Sequence, residues 1–189
     1  MDRTETNRRL AQLLFPNVTK TPADYEELYP KRQLPEGAMV TRIAPSPTGF
    51  MHFGNLYGAL IDERLAHQSG GVFYLRIENT DAKREVEGAV EVILSSLRAF
   101  GLQFDEGATE GEDKGIYGPY RQRDRAEIYH VIVKDLVERG LAYPCFCTEE
   151  ELQTIHDKQE ACGANFGYYG EWAAHANITC EEAEAASAS

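Results

Sequence analysis

The chain has 189 residues, which is enough to bury a hydrophobic core and suggests one domain and part of another. An apolar fraction of 42% argues against wholesale disorder, and a formal net charge of −12 argues against non-specific nucleic-acid binding, although local patches decide a specific contact. The sequence has neither an apolar run long enough to span a bilayer nor a signal-peptide core, so we expect a cytoplasmic protein without a membrane partner.

Patterns of apolar residues predict alternating helices and strands in the first half of the chain. In chain order we expect helices at 7–15 and 21–29, a strand at 38–44, a helix at 55–68, a strand at 72–77 and a helix at 86–100. In the helix at 55–68 the spacing puts Leu56, Leu60, Ile61 and Leu65 on one face. The succession of strand, helix and strand indicates a βαβ unit, which requires parallel strands.

The second half of the chain is predicted to be mainly helical. A helix at 125–139 ends at Gly140, and its inward face is expected to carry Ile128, Ile132, Leu136 and Val137. After an extended stretch at 142–147, Thr148 and Glu151 form the capping-box pattern that begins a helix at 149–161. The last residues, 179–189, start as a helix and end in small side chains.

The loop APSPTGFMHFGN at 44–55, between the first strand and its helix, contains more chemistry than a turn needs. Ligands of open α/β sheets bind beyond the carboxyl ends of the strands, and helix amino termini attract phosphate groups. Gly49 and Gly54 would let a ligand approach the backbone, and His52 could donate a hydrogen bond to a phosphoryl oxygen. An ordinary turn with a surface histidine fits the same spacing, so the pattern alone leaves both interpretations open.

Three segments, TRIAPSPTGFMHFGN, GGVFYLRIENTD and GPYRQRDRAEIY, occur in this order and resemble the amino-terminal half of bacterial glutamyl-tRNA synthetases. That family belongs to the class I synthetases, whose first signature begins the first helix of a Rossmann fold. The resemblance implies an α/β fold, with the first half of a Rossmann-type parallel sheet followed by the start of an inserted acceptor-binding α/β domain. The corresponding limits are 1–38 for an amino-terminal helical extension, 39–140 for the Rossmann half and 141–189 for the inserted region.

The resemblance implies a two-step reaction, in which ATP with Mg²⁺ activates L-glutamate and the glutamyl group then passes to the 3′ end of tRNA(Glu). Such chemistry depends on positioning and charge stabilisation rather than on a protein nucleophile. The positions that match the ATP site are Ala44, Pro45, His52, Gly54 and Asn55, and the last three carry the catalytic signature. Asn55 departs from the histidine or small residue that often ends this signature, but its amide can still donate a hydrogen bond.

The glutamate site implied by the resemblance consists of Arg42, Ser46 and Glu78. Arg42 would pair with the side-chain carboxylate of the substrate, Ser46 would offer a hydroxyl, and Glu78 would face the α-amino group. A guanidinium suits a carboxylate because the two planar groups can form parallel hydrogen bonds. Without the resemblance, these residues would be interpreted as solvated side chains at strand ends and in a turn.

Residues further along the chain are candidates for contact with tRNA. Asp81 and Arg84 match a segment that lies near the tRNA acceptor end in the family, although Asn79 stands where an aspartate is usual. A basic cluster, Arg121, Arg123 and Arg125, could contact phosphates or could simply begin a solvated helix. The sequence leaves both interpretations of the cluster open.

The four cysteines lie in the last quarter of the chain, and disulfides are not expected in a reducing compartment. Cys145 and Cys147, followed by YYGEWAAH at 168–175, resemble the zinc-binding insertion of some glutamyl enzymes. The ligands implied by this resemblance are Cys145, Cys147, Tyr169 and His175, with Cys162 as an alternative to Tyr169. Zinc prefers thiolate and imidazole ligands, but reduced structural cysteines beside a surface histidine would give the same sequence.

The second class I signature, Lys-x-Ser-Lys, does not occur in these 189 residues. We therefore expect the carboxy-terminal half of the enzyme to be missing, as in a fragment or a natural truncation, and the isolated chain to be weakly active or inactive. Two further functions stay open. One is a glutamyl-queuosine tRNA(Asp) synthetase-like enzyme, which shares the sequence HFG, and the other is a non-catalytic module that binds ATP or tRNA.

Overall fold

The computed structural model describes residues 3–173, 175 and 178–187. The helices are α1 (Arg3–Leu14), α2 (Pro22–Leu28), α3 (Phe53–Gln68), α4 (Ala89–Ala99), α5 (Ala126–Glu138), α6 (Glu149–Cys162) and α7 (Cys180–Ser187). The strands are β1 (Val40–Ile43), β2 (Val72–Leu75) and β3 (Glu106–Gly107), and short 3₁₀ turns cover Gln122–Arg125 and Gly170–Trp172. Every predicted helix and strand is found, and none of the described helices has both the length and the apolarity to cross a bilayer.

The chain divides into two compact units. Ala23–Tyr129 form the sheet unit, which contains all the strands named above. Met1–Pro22 and His130–Ser189 form the helical unit. The predicted limits of 1–38, 39–140 and 141–189 refer to the domains of a whole enzyme and stay a prediction.

The three strands form one parallel sheet with β2 in the middle. Val40 pairs with Val72 and Ile43 with Leu75, so β1, α3 and β2 make the predicted βαβ unit and confirm the α/β fold. No sequence pattern indicated β3, because it has only two residues. At Gly107 the φ angle is 147°, and a Cβ atom would lie 2.5 Å from the carbonyl oxygen of Leu75, so β3 can lie beside β2 only with glycine at this position.

Most of the buried side chains in the core of the sheet unit come from β1, β2, α3 and α4. Of the four residues that the spacing places on one face of α3, only Leu56 is buried. The buried residues of this helix are Leu56, Ala59, Glu63 and Ala66, and the exposed apolar ones include Leu60, Ile61 and Leu65. The physical reason is that small alanine side chains let a helix pack closely against its neighbours, so the alanines of α3 face the core. A prediction based on the spacing of large apolar residues does not include alanine and therefore chose a different face.

The helical unit has a small core made by α1, α5 and α7, with buried residues Leu10, Ala11, Val137, Cys180 and Ala183. The predicted inward face of α5 is wrong in part. Val131 and Val137 are buried, whereas Ile132 is 37% exposed. Apolar residues occur on most sides of this helix, so their spacing is compatible with several inward faces.

The amino terminus of α6 has the capping box that the sequence predicts. The Thr148 hydroxyl accepts a hydrogen bond from the Glu151 backbone N–H at 3.2 Å, and the Thr148 backbone N–H donates to the Glu151 carboxylate at 2.7 Å. Both donors would otherwise lack a partner within the helix. At the other end, Gly163 adopts a left-handed conformation and ends the helix.

Candidate functional site

The loop that follows β1 lies alongside the chain that follows β2, at the carboxyl ends of the two strands. The Arg76 backbone N–H donates to the Ile43 carbonyl, and the Glu78 N–H donates to the Pro45 carbonyl, both at 3.0 Å. These bonds extend the parallel pairing beyond the regular strands. Ala44 and Pro45 are half-buried here, whereas the neighbouring Ser46 is exposed. The loop is therefore held by its backbone, while the Ser46 side chain faces solvent.

His52 stands immediately before the first turn of α3. Its backbone is extended, with φ −79° and ψ 155°, and its N–H donates to the Asn55 side-chain oxygen at 3.2 Å. Asn55 thus uses its oxygen to cap the helix, and its amide hydrogens are not part of that bond. His52, Gly54 and Asn55 are all exposed, so the sequence-predicted signature lies on the open surface of the helix amino terminus.

Gly54 is not required by packing within the chain. A Cβ atom at this position would meet no other atom within 4 Å, and the residue lies in the first turn of α3 with no positive φ angle. A larger side chain would instead cover the exposed backbone of the first turn. This open backbone is suited to the close approach of a flat ligand group.

Two arginines share one oxygen of Glu78. The Arg42 Nη1 atom lies 3.0 Å from Glu78 Oε1, and the Arg76 Nε atom lies 3.1 Å from the same oxygen. Arg42 and Glu78 were predicted to bind different groups of one substrate, and the structure brings them together as an ion pair. Sequence reasoning missed Arg76, although its place two residues before Glu78 in a strand pattern puts both on one side of the strand.

Asn79, which stands where an aspartate is usual, lies against Arg123. Asn79 is buried, its side-chain oxygen accepts from the Arg123 backbone N–H at 3.0 Å, and its carbonyl accepts from the Arg123 guanidinium at 2.7 Å.

The other two arginines of the basic cluster also form hydrogen bonds within the sheet unit. Arg121 donates to the Asp113 carboxylate at 2.8 Å, and Arg125 donates to the Pro119 carbonyl at 2.9 Å. All three guanidinium groups bind other parts of the sheet unit, and both interpretations of the basic cluster stay predictions.

Asp81 and Arg84 form a local turn. The Arg84 Nε–H donates to one Asp81 oxygen at 2.6 Å, and the Lys83 backbone N–H donates to the other at 3.1 Å. The hydrogen bond from Arg84 lowers the pKa of the Asp81 carboxyl below its usual range. The Arg84 side chain is 74% accessible and that of Asp81 is 41% accessible, at positions five and two residues beyond Asn79.

A second polar group that the sequence did not indicate joins the stretch after α2 to β3. The Arg32 guanidinium forms two hydrogen bonds with the Glu106 carboxylate and lies 3.7 Å from the centre of the Tyr117 ring. Tyr120 donates its hydroxyl to Glu106 at 2.8 Å. Burial by itself raises the pKa of Glu106, but the bonds from Arg32 and Tyr120 bring it below its ordinary value. Arg32 and Glu106 are 74 residues apart, so no local pattern could have paired them.

The helical unit contains one group of potential metal ligands among the described residues. The Cys145, Cys147 and His175 donor atoms all lie within 4.8 Å of one another. The Tyr168 hydroxyl lies 3.4 Å from Cys147 Sγ and 3.2 Å from His175 Nδ1. Two thiolates and an imidazole are ligands that zinc prefers, so these side chains fit a tetrahedral zinc ion with a fourth ligand still to be supplied.

Two of the suggested zinc ligands are not in this group. The Tyr169 hydroxyl donates to the Asn165 carbonyl at 2.7 Å. The neighbouring Tyr168, and not Tyr169, lies beside the cysteines. Cys162 is exposed and donates to the Gln159 carbonyl at 3.5 Å. Adjacent tyrosines point in different directions outside a regular helix, and the sequence could not decide between them.

The thiols of the cluster differ in acidity. Burial opposes ionisation of Cys145, but hydrogen bonds from Tyr168 and other neighbours outweigh it and lower its pKa to about 7. The pKa of Cys147 is raised, although the bond from Tyr168 acts against this, because burial and the neighbouring Cys145 oppose a second negative charge. One thiolate is therefore readily formed, and a cation would favour the second.

Comparisons with known proteins identify relatives over most of the chain. The family model described as "tRNA synthetases class I (E and Q), catalytic domain" matches residues 38–188. The glutamate–tRNA ligase of Acetivibrio thermocellus is 61% identical over 178 residues, which cover 94% of this chain and 33% of that protein. The ligase of Clostridium perfringens is 57% identical over 92% of this chain and 32% of its own length.

A solved structure gives a consistent result. The glutamate–tRNA synthetase of Elizabethkingia anophelis matches with a TM-score of 0.62 and 40% identity, over 71% of this chain and 26% of that one. The chain thus spans about a third of the length of the curated relatives named above.

Proposed function

Because the chain belongs to the family of class I tRNA synthetases for glutamate and glutamine, we propose that it supplies the ATP- and glutamate-binding part of a glutamate–tRNA ligase. The observation that carries this proposal is the meeting of two groups at the carboxyl ends of β1 and β2. One is the exposed His52 signature at the start of α3, and the other is the Arg42–Glu78 pair. This is the edge at which open α/β sheets bind their ligands.

The proposed reaction has two steps. An oxygen of the glutamate α-carboxylate attacks the α-phosphorus of ATP, and the bond from that phosphorus to the bridging oxygen of pyrophosphate breaks. A ribose hydroxyl at the 3′ end of tRNA(Glu) then attacks the carbonyl carbon of glutamyl-adenylate, loses its proton and displaces AMP. Both steps need correct placement of the reactants and donors that stabilise developing negative charge.

In the first step, ATP would bind along Ala44, Pro45, His52, Gly54 and Asn55. The His52 imidazole would donate to phosphate oxygens, where negative charge increases as pyrophosphate leaves. The exposed backbone at Gly54 supports contact with the adenine ring, and the Asn55 amide has hydrogens available for a further bond. Mg²⁺ would accompany ATP and neutralise part of its phosphate charge.

Glutamate would bind at Arg42, Ser46 and Glu78. Its side-chain carboxylate would take the place of Glu78 on the exposed Arg42 guanidinium, whose side chain is 38% accessible. Glu78 would then accept hydrogen bonds from the substrate ammonium group. The tRNA acceptor end would approach Asp81 and Arg84, whose side chains are 41% and 74% accessible.

We also propose that zinc binds in the helical unit through Cys145, Cys147 and His175, with Tyr168 beside them as a hydrogen-bonding neighbour or fourth ligand. The ion would be structural, since it would join the stretch before α6 to the stretch before α7. In support, the donor atoms are close and of the right chemical type.

The test is ATP–pyrophosphate exchange with L-glutamate, with and without tRNA(Glu). It is carried out on the 189-residue chain and on a chimeric ligase, in which the chain replaces the matching 178 residues of the Acetivibrio thermocellus enzyme. We expect exchange by the chimeric ligase and little or none by the chain alone, since the chain spans about a third of such enzymes. A chimeric ligase that folds but activates glutamine rather than glutamate would contradict the proposal.

A further inference from the structure

Arg76 is the least exposed member of the group that it forms with Arg42 and Glu78. Its side chain is 18% accessible, compared with 38% for Arg42. Arg76 bonds Glu78 through Nε, close to its aliphatic stem, whereas Arg42 uses the terminal Nη1 atom. Arg76 is therefore the more constrained of the two cationic partners.

Backbone hydrogen bonds to the same neighbouring segment fix the main chain of both Arg76 and Glu78. The Arg76 N–H donates to the Ile43 carbonyl, and the Glu78 N–H donates to the Pro45 carbonyl, both at 3.0 Å. Between them, Ile77 is fully buried and exchanges backbone hydrogen bonds with Tyr120 and Gln122. A movement of Arg76 away from Glu78 would have to occur in the side chains alone.

The charges of the group suit a ligand with one net negative charge. Two guanidinium groups and one carboxylate leave one positive charge, and glutamate carries two carboxylates and one ammonium group. When the substrate carboxylate binds Arg42, Glu78 loses one of its two cationic partners. Without a second partner, Glu78 would either follow Arg42 and compete with the substrate or turn away from the substrate ammonium group.

We propose that Arg76 is a positioning residue, which keeps the Glu78 carboxylate in place while Arg42 exchanges Glu78 for the substrate. This inference rests on the proposed function, because it assigns a purpose to the contacts of that same site. Arg76 itself does not touch the substrate. Its effect is on recognition of the α-amino group through Glu78, so it contributes to glutamate binding and not to the chemical step.

The experiment uses the chimeric ligase with Arg76→Met, which removes the charge, and Arg76→Lys, which keeps it. We expect Arg76→Met to raise the KM for glutamate about tenfold and to leave kcat within about twofold of the wild-type value. Arg76→Lys should restore part of the loss, because a cation near Glu78 remains. The matched control is Arg98→Met in α4, whose exposed arginine lies 4.0 Å from Glu110 and should leave both constants unchanged.

Inhibition by glutarate separates positioning from loss of structure. Glutarate has both carboxylates of glutamate but no amino group, so it can bind Arg42 without using Glu78. We expect Arg76→Met to leave its inhibition constant within about twofold of the wild-type value. Equal weakening of glutamate and glutarate, or an unchanged KM for glutamate, would overturn the inference and leave the proposed function standing. A wild-type chimeric ligase that does not activate glutamate, beside an active parent enzyme, would overturn both.

Discussion

The two units of the molecule are stabilised in different ways. The sheet unit, Ala23–Tyr129, has a core of thirteen buried residues and a parallel sheet whose pairing continues into the loops of the candidate site. In the described part of the helical unit, the core has five buried residues, and two cysteines and a histidine lie together outside the helices. Backbone pairing and core packing thus hold the candidate site of the sheet unit, whereas the zinc ion proposed above would add to the smaller core of the helical unit.

The largest expected effect is that of zinc on the helical unit. If zinc does not bind, the two units do not differ in the way described above. We expect the purified chain to hold about one zinc ion, and we expect Cys147→Ser to remove it and to lower the stability of the helical unit by about 5 kcal/mol or more. Metal analysis gives the zinc content, and hydrogen exchange of the two units separates their stabilities. The sheet unit should be unaffected in the same sample.

Cys162→Ser is the matched control for zinc, because this exposed cysteine lies outside the cluster. It should leave the zinc content unchanged. A folded wild-type chain with well under a tenth of an equivalent of zinc, by the same metal analysis, would contradict the assignment and leave a hydrogen-bonded thiol–imidazole group in its place.

The next effect concerns the chemistry of the sheet unit. His52→Ala in the chimeric ligase should lower the rate of glutamate activation about 100- to 1,000-fold, or about 3–4 kcal/mol, because one donor to the phosphate charge is lost. The KM for glutamate should change little, since the proposed glutamate ligands are other residues. Pyrophosphate exchange measures both constants. His156→Ala in the helical unit is the control, and a His52 variant with an activation rate close to that of this control would exclude His52 from the mechanism.

A smaller effect compares a shielded ion pair in the sheet unit with an exposed one in the helical unit. Arg32→Met should cost about 2 kcal/mol at neutral pH, because it leaves the Glu106 carboxylate partly buried without its cation. Arg8→Met should cost almost nothing, since both partners of the Arg8–Glu5 pair are largely exposed. Chemical denaturation of each variant measures these changes in the free energy of unfolding.

The Arg32 effect should depend on pH in one direction. The pKa of Glu106 is lowered in the folded chain, so its contribution is complete above the unfolded value of about 4.5 and is lost as the pH falls through the folded value. The stability difference between the wild type and Arg32→Met should therefore shrink below pH 4.5. A difference that stays constant down to pH 3 would show that the lost packing on Tyr117, and not the charge, accounts for it.

The smallest effect concerns a local feature of the helical unit. Thr148→Ala should destabilise α6 by about 1 kcal/mol, because the Glu151 N–H loses its side-chain acceptor. Thr154→Ala within the same helix is the control, since its hydroxyl bonds a carbonyl that is already part of the helix. Equal losses in the two variants, measured by thermal unfolding, would show that the cap has no special role.

The sequence by itself determined the local features of this protein. The helix α6 begins at Thr148 and has its capping box because both partners lie within three residues of each other. The βαβ unit follows from a strand, a helix and a strand in succession, and the His52 signature stands at the start of α3 as its motif predicts. Such features depend on neighbours along the chain, so a pattern of residue types is enough to predict them.

Only the tertiary structure decided which distant residues meet. Ala59 and Ala66 of α3 face the core, and Arg42 forms an ion pair with Glu78, which lies 36 residues away in the sequence. Arg123 forms hydrogen bonds with Asn79, which lies 44 residues away. The tertiary structure also placed Tyr168 rather than Tyr169 beside the cysteines. These outcomes depend on the packing of one element on another, which fixes the direction of each side chain and has no signature in local spacing.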